Sequence, residues 1–176
     1  MTITYQLTED DLLLNQLYAA SKSASLKKRR QYMRWFFAIV YIGFGLFVLQ
    51  NGDWIFGSSV CIVGILWYFL YPLYAKRSHT NHYKKFIREN QSNLIGQETE
   101  LTIGDDYIFA KDAVSESKIN LSAVIKLVEL KECIIISMQS STILIPKKYI
   151  KDMAQLKEIF HLKAVQFVDD SLWKWK

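Results

Sequence analysis

The chain has 176 residues, 51% of them hydrophobic, with 22 Lys and Arg against 17 Asp and Glu and a formal net charge of +5. A basic chain is a candidate for nucleic-acid binding, but half of these cations lie between Lys22 and Arg88, where Asp53 is the one opposing carboxylate. From Gly96 onward 11 Lys face 12 acidic residues. This distribution argues against a nucleic-acid-binding domain, and two cysteines without CxxC spacing argue against a structural disulfide framework.

The N-terminal segment predicts a strand followed by a helix. Residues 2–7 alternate polar and apolar side chains, as a strand does. Thr8 and Asp11 have capping-box spacing, and Glu9 and Asp10 suit the positive end of a helix. We expect this helix to continue, with an irregularity at 21–25, into a basic segment and the first apolar run.

Two apolar runs, residues 35–52 and 54–75, come next, and Asp53 at their break is the one charged residue between Trp35 and Ala75. About 20 apolar residues in a helix cross a hydrocarbon core of about 30 Å. Neither run has the polar stripe of a soluble core helix. The runs therefore predict a two-helix transmembrane hairpin. Its predicted packing face consists of small residues, which are Gly57, Ser58, Cys61 and Gly64.

The flanks of the hairpin predict its orientation. Basic residues flank it from Lys22 to Arg34 and from Lys76 to Arg88. Those expected to meet lipid headgroups are Lys27, Lys28, Arg29, Arg30 and Arg34 before the first run, and Lys76, Arg77, Lys84 and Lys85 after the second. The turn at 50–53 contains no Lys or Arg. Because Lys and Arg near helix ends stay in the cytoplasm, we expect both termini to be cytoplasmic. The cations are expected to set the topology and to attract anionic lipid, at about 1 kcal/mol each. The alternative is that they form a specific binding site for a lipid headgroup.

Four segments follow from this pattern. They are residues 1–34, an N-terminal strand and basic cytoplasmic helix; 35–75, the transmembrane hairpin with its turn outside; 76–95, a basic juxtamembrane helix; and 96–176, a cytoplasmic β-rich domain. His79 and His82 would share a helical face in the third segment, but without a carboxylate or cysteine within one turn they predict no metal site.

In the last segment the pattern of apolar residues changes to a period of two, which is typical of strands. Strands are predicted at 98–103, 107–110, 113–119, 124–130, 133–138 and 141–145, with 133–138 central because it is apolar on both faces. A helix is predicted at 148–160. Short antiparallel strands followed by one helix predict a small, partly open β-barrel with a C-terminal helix. The tail at 161–176 is either an extra strand or an anchor at the membrane surface.

Few residues suggest a catalytic or ligand-binding site. The chain has no phosphate-binding glycine loop, no HExxH and no GxSxG. Asp105 and Asp106 follow Gly104 and are expected to be turn residues. Lys147 and Lys148, after Pro146, are a candidate binding surface for phosphate, with a solvated helix start as the alternative.

The order of segments, with the stretches LTIGDDYI, KINLSAVIKLVEL and ILIPKKYI, resembles the YcxB-like family of bacterial membrane proteins. Family members typically have an aromatic-led segment with Ile or Val three residues on, and here Leu121 and Val124 stand in those places. The resemblance covers nearly the whole chain. It implies a pleckstrin-homology-like cytoplasmic domain and carries over no catalytic residues.

These observations predict an α+β membrane protein without enzymatic activity, cofactor or metal. Its expected function is to present a pleckstrin-homology-like domain at the inner face of the bacterial plasma membrane for protein or lipid binding. The expected partners are a bilayer with anionic headgroups and an unknown protein, and self-association is open. The alternative function is immunity against a membrane-directed toxin or antimicrobial peptide; an enzyme is a weaker third.

Overall fold

The computed structural model describes residues 1–112, 115–139 and 141–175. The elements in these residues are β1 (Thr2–Gln6), α1 (Glu9–Lys22), α2 (Ala24–Gln50), α3 (Trp54–Asn90), β2 (Glu98–Ile103), β3 (Tyr107–Lys111), β4 (Glu116–Asn120), β5 (Val124–Glu129), β6 (Cys133–Met138), β7 (Thr142–Pro146), α4 (Met153–Leu162) and β8 (Gln166–Asp169). They form two compact units. We call Met1–Asn15 with Lys84–Lys174 the sheet unit, and Gln16–Tyr83 with Trp175 the hairpin unit.

The ends of the hairpin helices are set by local hydrogen bonds. Ser23 is the N-cap of α2, and its side chain accepts a hydrogen bond from the Leu26 backbone N–H, which confirms an irregularity between 21 and 25. At the other end Gly52 has a φ of +92°, a conformation that favours glycine. Asp53 then accepts a hydrogen bond from the Phe56 N–H at 3.1 Å and starts α3. The one charged residue between the two apolar runs is therefore a helix cap.

Both hairpin helices are long and apolar enough to cross a membrane. α2 has 27 residues and α3 has 37, each with a mean hydropathy of 1.7 over its most apolar window, of which 11% is buried in the structure. Large side chains such as Phe47, Ile55 and Leu73 are more than half exposed. The helices therefore do not use these faces to make a protein core.

Small residues let α2 and α3 approach closely. A Cβ added to Gly57 would lie 2.7 Å from Leu49 Cγ and 2.9 Å from the Gly45 carbonyl oxygen. A Cβ on Gly64 would lie 3.0 Å from Tyr41 Cβ. Cys61 lies in the same contact, with its thiol 3.8 Å from the Ile42 carbonyl. The predicted packing face is confirmed for these three residues; Ser58 instead lies outside it, exposed and hydrogen-bonded to the Trp54 carbonyl at 2.7 Å.

The first sheet of the sheet unit is an antiparallel meander in the order β1-β2-β3-β4. β1 pairs with β2 in a register that sets Thr2 opposite Thr102 and Gln6 opposite Glu98. The predicted capping box follows directly: the Thr8 N–H donates to Asp11 at 2.9 Å and the Asp11 N–H donates back to Thr8 Oγ at 3.2 Å.

The second sheet has the order β7-β6-β5-β8. β6 is central and nearly all buried, as its apolar pattern predicts. β8 pairs in parallel with β5, and α4 provides the crossover from β7 that a parallel arrangement needs. The core draws on both sheets and on α4, with Leu101, Leu127, Ile136 and Phe160 almost fully buried.

The predicted partly open barrel is therefore confirmed only in its coarser features, and the purely antiparallel pairing is corrected. In the described residues the strands make two four-stranded sheets without a closed barrel, and the second sheet is mixed. The chain passes from the first sheet to the second at Leu121. The Leu121 N–H donates to the Asp106 carbonyl at 2.8 Å, and its side chain is buried in the core. The α+β class and the C-terminal helix are confirmed.

Two predicted boundaries also change. The last helix begins at Met153 and not at 148, because Asp152 caps it through a 2.9 Å hydrogen bond from the Gln155 N–H, and 147–149 form a separate 3-10 turn. Residues 113 and 114 of the predicted strand at 113–119, and residue 140 between the predicted strands at 133–138 and 141–145, lie outside the described residues. The described part of that strand is β4.

Candidate functional site

A basic cleft lies within the hairpin unit, at the N-terminal end of α2. Lys27, Arg30 and Arg34 line it from α2, at spacings of three and four residues that put them on one helical face. Tyr71 and Pro72 line it from α3. The cleft has a volume of about 320 Å³.

Pro72 explains why an arginine is held in this cleft. Proline has no N–H, so Pro72 cannot donate to the carbonyl of Tyr68, four residues before it in α3. Arg34 supplies the missing donor: its Nε lies 3.0 Å from the Tyr68 carbonyl oxygen. An unpaired carbonyl is costly wherever water is excluded, and Arg34 removes that cost.

Aromatic rings fix the two arginines further. The Arg34 guanidinium carbon lies 3.8 Å from the Tyr68 ring centroid, and that of Arg30 lies 4.8 Å from the centroid of Trp175. Cation–π contacts of this kind attract Arg to the ring face. The cleft therefore holds oriented guanidinium groups.

Basic side chains far outnumber acidic ones in the chain segment around the cleft. Between residues 16 and 83 there are eight Lys and Arg but only one carboxylate, Asp53. Asp53 follows the far end of α2, about 30 Å along the helix from Arg30 at 1.5 Å per residue. The side chains of residues 16–83 therefore contribute a net positive charge around the cleft.

The other predicted headgroup residues do not line this cleft. Lys28 and Arg29 are exposed on other faces of α2, and Lys76 and Arg77 are exposed on α3. Lys84 and Lys85 belong to the sheet unit, where Lys85 lies 3.7 Å from the exposed Glu89.

Lys147 and Lys148, the second predicted surface, lie in the sheet unit and differ from each other. Lys147 Nζ binds Glu129 Oε1 at 2.7 Å, and Lys157 Nζ binds Oε2 of the same carboxylate at 2.6 Å. These two hydrogen bonds hold the pKa of Glu129 below its usual range. Lys147 is thus engaged in the fold, while Lys148 is exposed and lies against the Tyr149 ring.

The other side chains that could take part in a reaction are buried or already hydrogen-bonded. Burial raises the pKa of the Cys133 thiol to about 12, so the nucleophilic thiolate is suppressed at neutral pH. His79 Nδ1 is 2.9 Å from the Ala75 carbonyl oxygen, and Asp106 binds Lys163 at 3.0 Å. In the described part of the chain no group of three or more His, Cys, Asp or Glu residues could hold a metal ion.

The sequence patterns identified the cations but not the cleft. The available signal was Pro72 inside an apolar helix, which leaves one carbonyl open one turn earlier. Which side chain donates to this carbonyl depends on how the two helices pair, and local sequence patterns do not specify the pairing.

Residues 103–162 match the family model described as YcxB-like protein, which confirms the predicted resemblance over this segment. The segment runs from the last residue of β2 to the end of α4, so it excludes the hairpin unit. A search of curated proteins and a search of solved structures find no match.

Replacing Arg34 should destabilise the hairpin. In Arg34→Met the Tyr68 carbonyl loses its donor, so we expect a loss of about 1–3 kcal/mol in the free energy of unfolding. Thermal unfolding of the full chain in detergent micelles, followed by circular dichroism, measures this change. Arg29→Met, on an exposed face of the same helix, is the control and should change the free energy by less than about 0.5 kcal/mol. Equal effects of the two substitutions would refute this role of Arg34.

Glu129 should make stability depend on acid pH. Because its pKa is lowered in the folded state, its bonds to Lys147 and Lys157 stabilise the fold fully above the unfolded pKa of about 4.3 and are lost as pH falls through the folded pKa. Glu129→Gln should be less stable than the wild type at pH 7 and lose less stability on acidification. Thermal unfolding between pH 7 and pH 3 measures this.

Glu116→Gln is the matched control for this titration. Glu116 also binds a lysine, Lys111, but both side chains are 55% exposed, and exposed pairs contribute little. Its acid profile should therefore follow the wild type. A Glu129→Gln profile parallel to that of the wild type would show that the two-lysine contact adds no stability.

Proposed function

We propose that this YcxB-like chain is a non-enzymatic, membrane-anchored module of the bacterial plasma membrane. The hairpin unit is its anchor, and the sheet unit is a pleckstrin-homology-like domain presented at the inner face for binding a protein or lipid. The observation that carries the proposal is the exposed apolar surface of α2 and α3, two helices of membrane length.

The exposed surface supports a lipid environment. Soluble monomers rarely expose a contiguous apolar patch larger than a few hundred Å². Within the two apolar runs, at 35–52 and 54–75, the buried positions are small ones such as Ala38, Gly45 and Gly64, whereas many large apolar side chains are exposed. This arrangement suits helices that pack on each other through small residues and on lipid through large ones.

The distribution of charge supports the orientation. Between residues 16 and 83 the Lys and Arg residues lie at the end of α1, in the N-terminal part of α2 and in the C-terminal part of α3, and the turn at 51–53 has none. The positive-inside rule places such ends in the cytoplasm. Both chain termini, and with them the sheet unit, would then be cytoplasmic.

The layout of the sheet unit supports a binding domain. Four antiparallel strands, a second sheet with three further antiparallel strands, and α4 after them agree with a pleckstrin-homology-like arrangement. Lys147, Glu129 and Cys133 are engaged in the fold or buried. These three residues therefore do not suggest a reaction site, so we favour a binding role for the domain, and a protein partner or self-association remains part of the proposal.

Reporter fusions test the anchoring and its orientation. A reporter that is active only in the cytoplasm should be active when fused after Lys176. The same reporter inserted after Gly52, in the turn, should be inactive because it would lie outside. An inactive C-terminal fusion, or an active reporter in the turn, would contradict the proposal.

A further inference from the structure

We propose that the basic cleft of the hairpin unit binds the phosphate of an anionic phospholipid headgroup. The cleft is the one defined by Lys27, Arg30 and Arg34 on α2 with Tyr71 and Pro72 on α3. This inference rests on the proposed membrane anchoring and names a ligand for the anchor itself.

The side chains in the cleft suit a phosphodiester. Arginine presents a planar fork of donors that matches phosphate oxygens, and lysine adds a compact charge. Three cations on one helical face can surround a single anionic group, and a volume of about 320 Å³ accommodates a headgroup. Basic pockets between membrane helices on the cytoplasmic side are general sites for anionic lipid headgroups.

Arg34 is positioned before any ligand arrives. Its Nε donates to the Tyr68 carbonyl and its guanidinium lies over the Tyr68 ring at 3.8 Å. Among the described residues its two Nη atoms have no hydrogen-bond acceptor. A guanidinium fixed on one side and open on the other loses little conformational freedom on binding an anion.

Carboxylate side chains are scarce in the helices around the cleft. Asp53 is the one carboxylate between residues 16 and 83, and it follows the opposite end of α2. Tyr71, Pro72 and Ala75 give the cleft an apolar wall beside its cations. A lipid matches both features at once, because its phosphate is joined to an apolar glycerol ester, and free phosphate lacks the apolar part.

Aromatic residues place the cleft at the depth of lipid phosphates. Trp35 and Tyr68 lie against each other with ring centroids 4.9 Å apart, and Trp67 contacts Tyr71 at 5.6 Å. Trp and Tyr concentrate at the membrane–water interface. In an anchored chain the adjoining cations would therefore face the headgroup layer.

Two double variants that remove the same charge distinguish a specific binding site from general electrostatic attraction to anionic lipid. Lys27→Gln with Arg30→Gln removes two cations from the cleft, and Lys28→Gln with Arg29→Gln removes two from other faces of the same helix. Native mass spectrometry of the full chain in detergent would measure binding of phosphatidylglycerol and of phosphatidylcholine. Inorganic phosphate is added as a competitor, and thermal unfolding checks that each variant folds.

The wild type should bind phosphatidylglycerol more tightly than phosphatidylcholine, and millimolar phosphate should not displace the lipid. The cleft variant should bind phosphatidylglycerol about tenfold more weakly, since one lost charge-assisted hydrogen bond is worth about that factor. The control variant should change binding less than about twofold, and Lys27→Arg should preserve it, which keeps the test valid if the double variant is unstable.

Three results would overturn the inference. Equal weakening by both double variants would show general electrostatic attraction, and equal binding of the two lipids would show no headgroup recognition. Displacement by phosphate alone would assign the cleft to a soluble anion. Because the assay uses purified protein, these outcomes are independent of the reporter fusions, and the cleft could fail while the anchor and its orientation stand.

Discussion

The architecture depends on apolar helical surface that the chain does not cover. Ile55 is 84% exposed and Leu73 is 67% exposed, and both belong to α3, a helix of 37 residues. Each 100 Å² of such surface in water costs about 2.5 kcal/mol. A bilayer removes this cost, and it then requires that every backbone polar group in the hairpin finds a partner within the protein.

The hairpin meets that requirement at its two weak points. At the turn, Asp53 accepts the Phe56 N–H and starts α3, so the one charge near the apolar runs is used as a cap. At Pro72 the open Tyr68 carbonyl is satisfied by Arg34 of the other helix. One side chain therefore ties α2 to α3 and at the same time orients a cation in the basic cleft. The stability of the hairpin and its proposed recognition of lipid thus share this contact.

Local patterns in the sequence predicted much of this fold. The capping box at Thr8 and Asp11, the small-residue contact at Gly57 and Gly64, and the central place of β6 all follow from spacing and composition, and the structure confirms them. The two-sheet arrangement did not follow, because it depends on the inward turn at Leu121 and on the parallel pairing of β5 with β8, which are set by tertiary packing. Lys147 illustrates the same limit: its partner Glu129 lies on a strand eighteen residues earlier, so a lysine after proline looked available for a ligand.

A depth measurement tests the central claim that lipid covers the hairpin. Nitroxide labels would be placed at Ile62, midway in the apolar part of α3, and at Lys28, on an exposed face of α2. The full chain, with both native cysteines replaced by alanine, would be reconstituted in liposomes that contain phosphatidylglycerol. If lipid covers the hairpin, the label at Ile62 is relaxed by oxygen and shielded from a water-soluble nickel complex, and the label at Lys28 shows the reverse. Equal access of the nickel complex to both labels would contradict this claim.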